Sequence, residues 1–177
     1  MTAGVRELGH LVLYVRDVRR SAAFYRDVLG WRQIVPDPDE ARGGATRGPA
    51  GLAASAVLNE DLGPPPTMAA FSSGRTHHEL LLIGVGEDAT PIPSGRRVGM
   101  YHFGLNVGES DQDLRDLLGV LERAGTTIVG ASDHTVTHSL YILDPDGNEI
   151  ELYVDVPGVD WRSDPMLLAS PVRPLRL

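Results

Sequence analysis

The sequence contains no cysteine among its 177 residues. Disulfide bonds, thiolate metal sites and cysteine nucleophiles are therefore excluded together, and any metal ion must be held by His, Asp or Glu. Basic residues are also scarce, with 16 Lys and Arg against 24 Asp and Glu and a formal net charge of −8. Nucleic acids and anionic membrane surfaces select for clustered basic residues, so we expect a small-molecule partner and neither nucleic acid nor membrane.

Long apolar runs are missing as well. The sequence has no stretch of 18 apolar residues, and its N-terminus MTAGVRELGH lacks the pattern of a signal peptide. We therefore expect a cytoplasmic protein. Hydrophobic residues make up 42% of the chain, which is enough to bury a core at this length.

The first half of the chain predicts strands around one helix. Alternating apolar residues in GHLVLYV (9–15) predict a strand, and Asp17 or Ser21 is placed to cap a helix that ends at Gly30. Three further strands are predicted at WRQIV, MAAFSSG and HHELLLI. The Pro- and Gly-rich residues 36–66 predict an inserted loop, and residues 84–97 have linker composition.

The second half repeats this order. A strand at MYHFGLNV precedes a helix from Ser110 to about Gly125, and TTIVG, HSLYIL and EIELYVD follow as strands. We predict an α+β fold of two βαβββ modules that form a curved mixed sheet around a metal-binding cleft. The first module spans residues 1–97, the second spans 98–155, and 156–177 form a C-terminal strap.

Superposing the two halves brings potential metal ligands into register. His10 pairs with His102 and Glu79 with Glu151, each on the polar side of its strand. Such a cluster is costly to desolvate unless a cation compensates it. Two imidazoles with one carboxylate suit Fe(II) with open positions for substrate and O₂, whereas a second carboxylate would suit Ni, Zn or Mg as a Lewis acid.

Two stretches resemble the vicinal oxygen chelate superfamily, which includes glyoxalase I, fosfomycin-modifying thiol transferases, bleomycin-binding proteins and extradiol catechol dioxygenases. GHLVLYVRDVRRSAAFYRDVLGW resembles its opening strand and helix, and LYILDPDGNEIELY resembles its closing hairpin. The resemblance covers about residues 7–155. It implies metal ligands at His10, His102 and Glu151, with Glu79 as the candidate fourth ligand of glyoxalase-like members.

The stretch DHTVTHSLYILDPDGNEIELY resembles the dioxygenase-like members more specifically. The resemblance implies that Tyr141 hydrogen-bonds the substrate and that an upstream histidine, His134 or His138, acts as acid or base. We favour His134, because strand alternation turns His138 away from Tyr141. The adjacent His77 and His78 are predicted to enter a strand on opposite faces, which disfavours a second metal site there.

The leading hypothesis is a non-haem Fe(II) extradiol dioxygenase that cleaves a catechol-like aromatic with O₂; Mn, Ni and Zn are the other candidate metals. A glyoxalase-type metal-dependent lyase or isomerase is the alternative that rests on Glu79. A third hypothesis is a ligand-sequestering protein of the bleomycin-resistance kind. An acidic pair of modules of this type is expected to form a homodimer.

Overall fold

The computed structural model describes residues 4–35 and 67–177, so the predicted insertion at 36–66 lies outside the described residues. The chain divides into two compact units, Met1–Thr90 and Pro91–Leu177. The division falls inside the segment 84–97 that has linker composition. No helix in the described ranges is long and apolar enough to cross a membrane.

The first unit is a four-stranded sheet with one helix. Strand β1 leads into helix α1, which continues as one π-helical turn, and both precede strands β2, β3 and β4. The strand order is β1-β4-β3-β2, with β1 parallel to β4 and the other pairs antiparallel. The bounds are β1 Leu11–Val15, α1 Val18–Ala23, π-turn Phe24–Val28, β2 Gln33–Val35, β3 Met68–Phe71 and β4 Leu80–Gly84.

The second unit repeats this plan with one added strand. Its strand order is β5-β8-β7-β6-β9, with β5 parallel to β8. The bounds are β5 His102–Gly108, α2 Asp111–Arg123, β6 Ile128–Asp133, β7 Thr137–Leu143, β8 Glu149–Asp155, a 3₁₀ turn Pro165–Ala169 and β9 Arg173–Pro174. The predicted α+β fold of two βαβββ units is confirmed. Strand β9, in the predicted strap, pairs with the edge strand β6.

Strand alternation explains how each sheet divides its residues between two faces. One face packs against the unit's own helix and is almost fully buried; it carries Leu13, Val15, Leu80 and Leu82 in the first unit and Leu140, Ile142, Ile150, Leu152 and Val154 in the second. The other face is named the distal face here. It holds Val12, Tyr14, Leu81 and Ile83 in the first unit, and Ser139, Tyr141, Glu149, Glu151 and Tyr153 in the second.

Both helices begin and end where the sequence predicts. The Asp17 carboxylate accepts the N–H of Arg19 at 2.8 Å and so caps α1, whereas Ser21 is buried inside the helix. Ser110 starts α2, and its N–H donates to the Asp113 carboxylate at 2.9 Å. Gly30 and Gly125 both follow their helices with φ of +68°, the left-handed conformation that glycine adopts at little cost.

Two predicted strands are displaced. Strand β4 begins at Leu80 and not at residue 77, because His77, His78 and Glu79 belong to the loop that precedes it. Strand β6 runs from Ile128 to Asp133, later than the predicted 126–130, because its partner β7 extends the pairing to Asp133 and His138. His134 therefore lies in the turn between two paired strands.

Candidate metal and catalytic site

Three adjacent strands of the second unit bring its candidate residues together. The parallel pair places His102 beside Glu149 and Gly104 beside Glu151, and the antiparallel pair places Tyr141 beside Glu151. These positions share the distal face because neighbouring residues across a ladder point the same way. The registers of these strands thus place His102, Tyr141 and Glu151 on the distal face of the second unit.

The two carboxylate oxygens of Glu151 have different partners. Oε1 accepts a hydrogen bond from the Ser139 hydroxyl at 2.7 Å and another from the Tyr141 hydroxyl at 3.1 Å. Oε2 lies 3.2 Å from Nε2 of His102. Hydrogen bonds therefore orient the carboxylate through one oxygen and leave the other beside an imidazole nitrogen.

His102 carries the second feature of interest. Its Nδ1 is buried and has no hydrogen-bond partner, and the nearest carboxylate oxygen on that side, Oε1 of Glu149, is 3.8 Å away. Ligands about 2.1 Å from one ion lie about 3 Å apart, so Nε2 of His102 and Oε2 of Glu151 fit as two neighbouring donors. The donor chemistry matches a divalent cation better than it matches two uncompensated polar groups.

His134 and Tyr141 are in direct contact. Nε2 of His134 lies 2.7 Å from the Tyr141 hydroxyl oxygen and 3.8 Å from Oε1 of Glu151. Burial, followed by the negative charge of Glu151, raises the pKa of Tyr141 well above its usual value. The phenol therefore stays protonated at neutral pH and can act as a donor.

Sequence reasoning missed Ser139, which is fully buried and donates to Glu151. The signal was present, because Ser139 is two residues before Tyr141 on the same strand and so shares its face. Gly104 is a second residue that the sequence did not single out. A Cβ there would lie 3.3 Å from the Tyr153 ring and 3.8 Å from Oε2 of Glu151, so glycine keeps space beside the carboxylate.

His138 lies on the opposite face, as alternation predicts. Its Nδ1 is 2.6 Å from the carboxylate of Asp111 at the start of α2, and its Nε2 is 3.7 Å from that of Asp133. It joins the helix to the sheet. The geometry agrees with the preference for His134 beside Tyr141, while the catalytic role of His134 stays a prediction.

In the first unit, His10 precedes β1 and is exposed. Its ring centroid lies 4.6 Å from that of His78 and 6.1 Å from that of His77. The expectation that His77 and His78 point to opposite faces is wrong, because both precede β4 and their Nδ1 atoms are 2.6 Å apart. Burial is the largest cause that lowers the pKa of His78, followed by electrostatic interaction with the neighbouring imidazoles of His10 and His77.

Glu79 is engaged in its own loop. Its carboxylate accepts the N–H and the hydroxyl of Ser73, each at 2.7 Å, and lies 3.5 Å from the Arg75 side chain. Burial alone would raise its pKa, but the Ser73 hydrogen bonds and the Arg75 charge outweigh burial and lower it. The carboxylate stabilises the β3–β4 loop.

The strand registers also change the predicted pairing between the two halves. Leu11 lies beside Leu80 in the first unit, as Phe103 lies beside Ile150 in the second. With His10 equivalent to His102, Glu79 corresponds to Glu149, and Leu81 corresponds to Glu151. The predicted pairing of Glu79 with Glu151 therefore differs by two residues from the equivalence that the strand registers give.

Among residues 4–35 and 67–177, no three His, Asp or Glu side chains lie together in an arrangement that could hold a metal ion. The second unit brings together two of the three expected ligands, His102 and Glu151. The third, His10, belongs to the first unit. The complete ligand set stays a prediction.

Comparison with known proteins assigns the chain to a family. The model of the Glyoxalase/Bleomycin resistance protein/Dioxygenase superfamily matches residues 7–152, most of the chain. The chain belongs to this superfamily. The resemblance that the two sequence motifs indicated is thereby confirmed, and the superfamily's own name spans several activities.

Two curated relatives carry the names of dioxygenases. Catechol-2,3-dioxygenase of Bacillus subtilis is 29% identical over 89% of this chain and 44% of its own length. Biphenyl-2,3-diol 1,2-dioxygenase 3 of Rhodococcus globerulus is 26% identical over 84% of this chain and 63% of its own length. This chain thus spans less than half of the first relative and less than two thirds of the second.

Among solved structures, a glyoxylase/bleomycin resistance protein/dioxygenase domain from Frankia sp. EAN1pec matches with a TM-score of 0.58 and 22% identity. The match covers 88% of this chain and all of that domain. At this identity the likeness shows the superfamily's fold, and the class of reaction depends on the site.

Proposed function

We propose that this superfamily member is a metal-dependent, extradiol ring-cleaving dioxygenase that acts on a catechol-like aromatic. The observation that carries the proposal is that the two oxygens of the Glu151 carboxylate have different partners. Ser139 and Tyr141 occupy Oε1, whereas Oε2 is directed at His102. Such anchoring of a ligating carboxylate through its other oxygen is typical of metal sites.

The residues that would hold the metal are His10, His102 and Glu151. Two imidazoles and one carboxylate suit Fe(II), and Mn, Ni and Zn are the alternatives to be compared. When bound, Fe(II) supplies open positions for the two diol oxygens and for O₂. The assignment of His102 is supported by its Nε2, which lies 3.2 Å from Oε2 of Glu151. Its Nδ1 has no hydrogen-bond partner among the described residues, so the partner that usually orients a ligating imidazole is absent there.

Tyr141 and His134 take the proton-handling roles. Tyr141 remains protonated because its pKa is raised, so its hydroxyl can donate to a substrate oxygen in place of Oε1 of Glu151. Nε2 of His134 lies within hydrogen-bond distance of that phenol, where an imidazole can accept a proton from the diol and return it later. Both residues project beside Glu151, the proposed metal ligand.

The names of both curated relatives, a catechol and a biphenyl-diol dioxygenase, support the same reaction class. The glyoxalase-type lyase loses its main support, since Glu79 is bound to Ser73 and Leu81 occupies the position equivalent to Glu151. A sequestering protein has no evident use for the proton-handling pair. Homodimer formation and a cytoplasmic location stay predictions, and light scattering in solution tests the former.

The test is an oxygen-uptake assay. Protein reconstituted anaerobically with Fe(II) should consume about one O₂ per catechol and incorporate both atoms into a ring-opened product, with Zn(II)-loaded protein as the inactive control. His134→Ala and Tyr141→Phe should each lower kcat by about 10²-fold, the usual contribution of a positioned acid–base group. Anaerobic turnover of a hemithioacetal with Ni(II), without O₂ uptake, would favour the lyase.

A further inference from the structure

The turn that carries His134 has an unusual backbone. Thr135 has φ of +71° and is the one non-glycine residue with positive φ among residues 4–35 and 67–177. A β-branched side chain is strained in this left-handed conformation, which glycine or asparagine adopts more readily. Local strain of this kind persists only where neighbouring structure imposes it.

The same residue has a second feature that is unfavourable for stability. The Oγ1 atom of Thr135 is buried and has no hydrogen-bond partner. Leaving a buried hydroxyl unpaired is unfavourable, and a residue chosen for stability alone would avoid it. Strain and an unpaired group at one position point to a role other than stability.

The neighbours of Thr135 hold the turn in place. Its N–H donates to the Asp133 carboxylate at 2.7 Å, and the N–H of His134 donates to the carbonyl of Thr137 at 2.9 Å. The carbonyl of Val136 accepts the N–H of Val156 at 2.9 Å. Strand β9 pairs with Asp133 on the other side. The backbone on both sides of His134 is thereby tied to two neighbouring strands.

We propose that Thr135 is a positioning residue, whose left-handed turn holds the His134 imidazole against the Tyr141 hydroxyl. The 2.7 Å contact between them depends on where the short turn places His134, since no other hydrogen bond orients that ring among those of the described residues. The proposal rests on the proposed function in assigning the acid–base role to His134. Thr135 itself contacts neither substrate nor metal.

The test compares Thr135→Pro, whose ring fixes φ at about −65° and so forbids the left-handed turn, with Thr135→Gly, which adopts that turn more readily than threonine. Thr127→Pro is the control at an exposed loop position of the same unit. The first readout is the ¹⁵N-resolved imidazole N–H signal of His134 in the full, metal-free chain. We expect a slowly exchanging signal in wild type, Thr135→Gly and Thr127→Pro, and its loss in Thr135→Pro.

The second readout is ring cleavage by the Fe(II)-loaded protein. Thr135→Pro should lower kcat about tenfold with KM within twofold, while Thr135→Gly should keep the kcat of wild type. An unchanged imidazole signal in Thr135→Pro would overturn the proposal. Should that variant not fold, Asp133→Ala removes the acceptor that pins the turn and must abolish the same signal. If wild type cleaves no catechol, the proposed function fails, while the imidazole signal still decides the role of Thr135.

Discussion

The two units share a strand plan and differ in the chemistry of their distal faces. Each has a parallel pair at one edge of its sheet, β1 with β4 and β5 with β8, and a histidine precedes β1 and begins β5. At equivalent positions the first unit carries Val12 and Leu81, where the second carries Gly104 and Glu151. Duplication of one architecture has therefore left an apolar surface on one unit and a polar, hydrogen-bonded one on the other.

The difference shows which parts of the repeat serve folding and which serve chemistry. Leu80 and Ile150 are equivalent, fully buried and both apolar. Leu81 and Glu151, one residue later in each strand, share nothing but their position. The helix-facing positions are constrained by packing, whereas the distal positions are free to diverge.

The largest effect is expected at the buried, helix-facing positions that the two units share. Leu80→Ala and Ile150→Ala should each lower the free energy of unfolding by about 2–5 kcal/mol, because each leaves a cavity at the centre of its unit. Urea denaturation monitored by circular dichroism measures both. A loss below about 1 kcal/mol in one variant alone would mean that the two helix-facing cores are not equivalent.

Ser139→Ala tests the anchoring of Glu151, which has no equivalent at Leu81. Removal of the hydroxyl takes one donor from Oε1, and we expect about a tenfold loss of metal affinity or kcat, the lower end for a residue that orients a ligand. Stability should fall by only about 1 kcal/mol. Equal activity of Ser139→Ala and wild type would show that Tyr141 alone orients the carboxylate.

Alkaline pH tests the effect of the raised Tyr141 pKa on the stability of the folded protein. Its pKa is raised in the folded protein, so above about pH 10 the unfolded phenol ionises while the folded one keeps its proton. Stability is therefore unaffected by this group below pH 10 and falls as pH rises beyond it. Tyr141→Phe should lose less unfolding free energy between pH 10 and 11.5 than wild type, with the interval from pH 7 to 9 as the reference.

The smallest effect is expected at Glu79. Glu79→Gln keeps one oxygen to accept from Ser73, so stability should change by less than about 1 kcal/mol. Metal affinity should stay within about threefold of wild type, because the carboxylate belongs to the β3–β4 loop. A loss of metal affinity comparable to that of His102→Ala would restore Glu79 as a ligand.

Sequence patterns were sufficient for the order of elements, the helix start at Ser110 and the polar face of Glu151, and they left the cap of the first helix open between Asp17 and Ser21. They could not place the start of β4, because HHELLLI is apolar on both faces after its first residues and the loop bonds of Glu79 arise from Ser73 across a turn. Because β4 begins at Leu80, Glu79 belongs to the β3–β4 loop and not to the strand position that predicted it as a metal ligand. Nor could a pattern reveal the backbone of Thr135, which follows from pairing on both sides of the turn.

The central claim is that Oε2 of Glu151 and Nε2 of His102 bind one metal ion. Anaerobic titration calorimetry with Fe(II) tests it most directly on wild type, Glu151→Gln and the matched control Glu149→Gln, which removes the neighbouring carboxylate on the same strand. We predict one ion per chain for wild type, affinity within about threefold for Glu149→Gln, and at least about a 100-fold loss for Glu151→Gln. Wild-type affinity in Glu151→Gln would contradict the account.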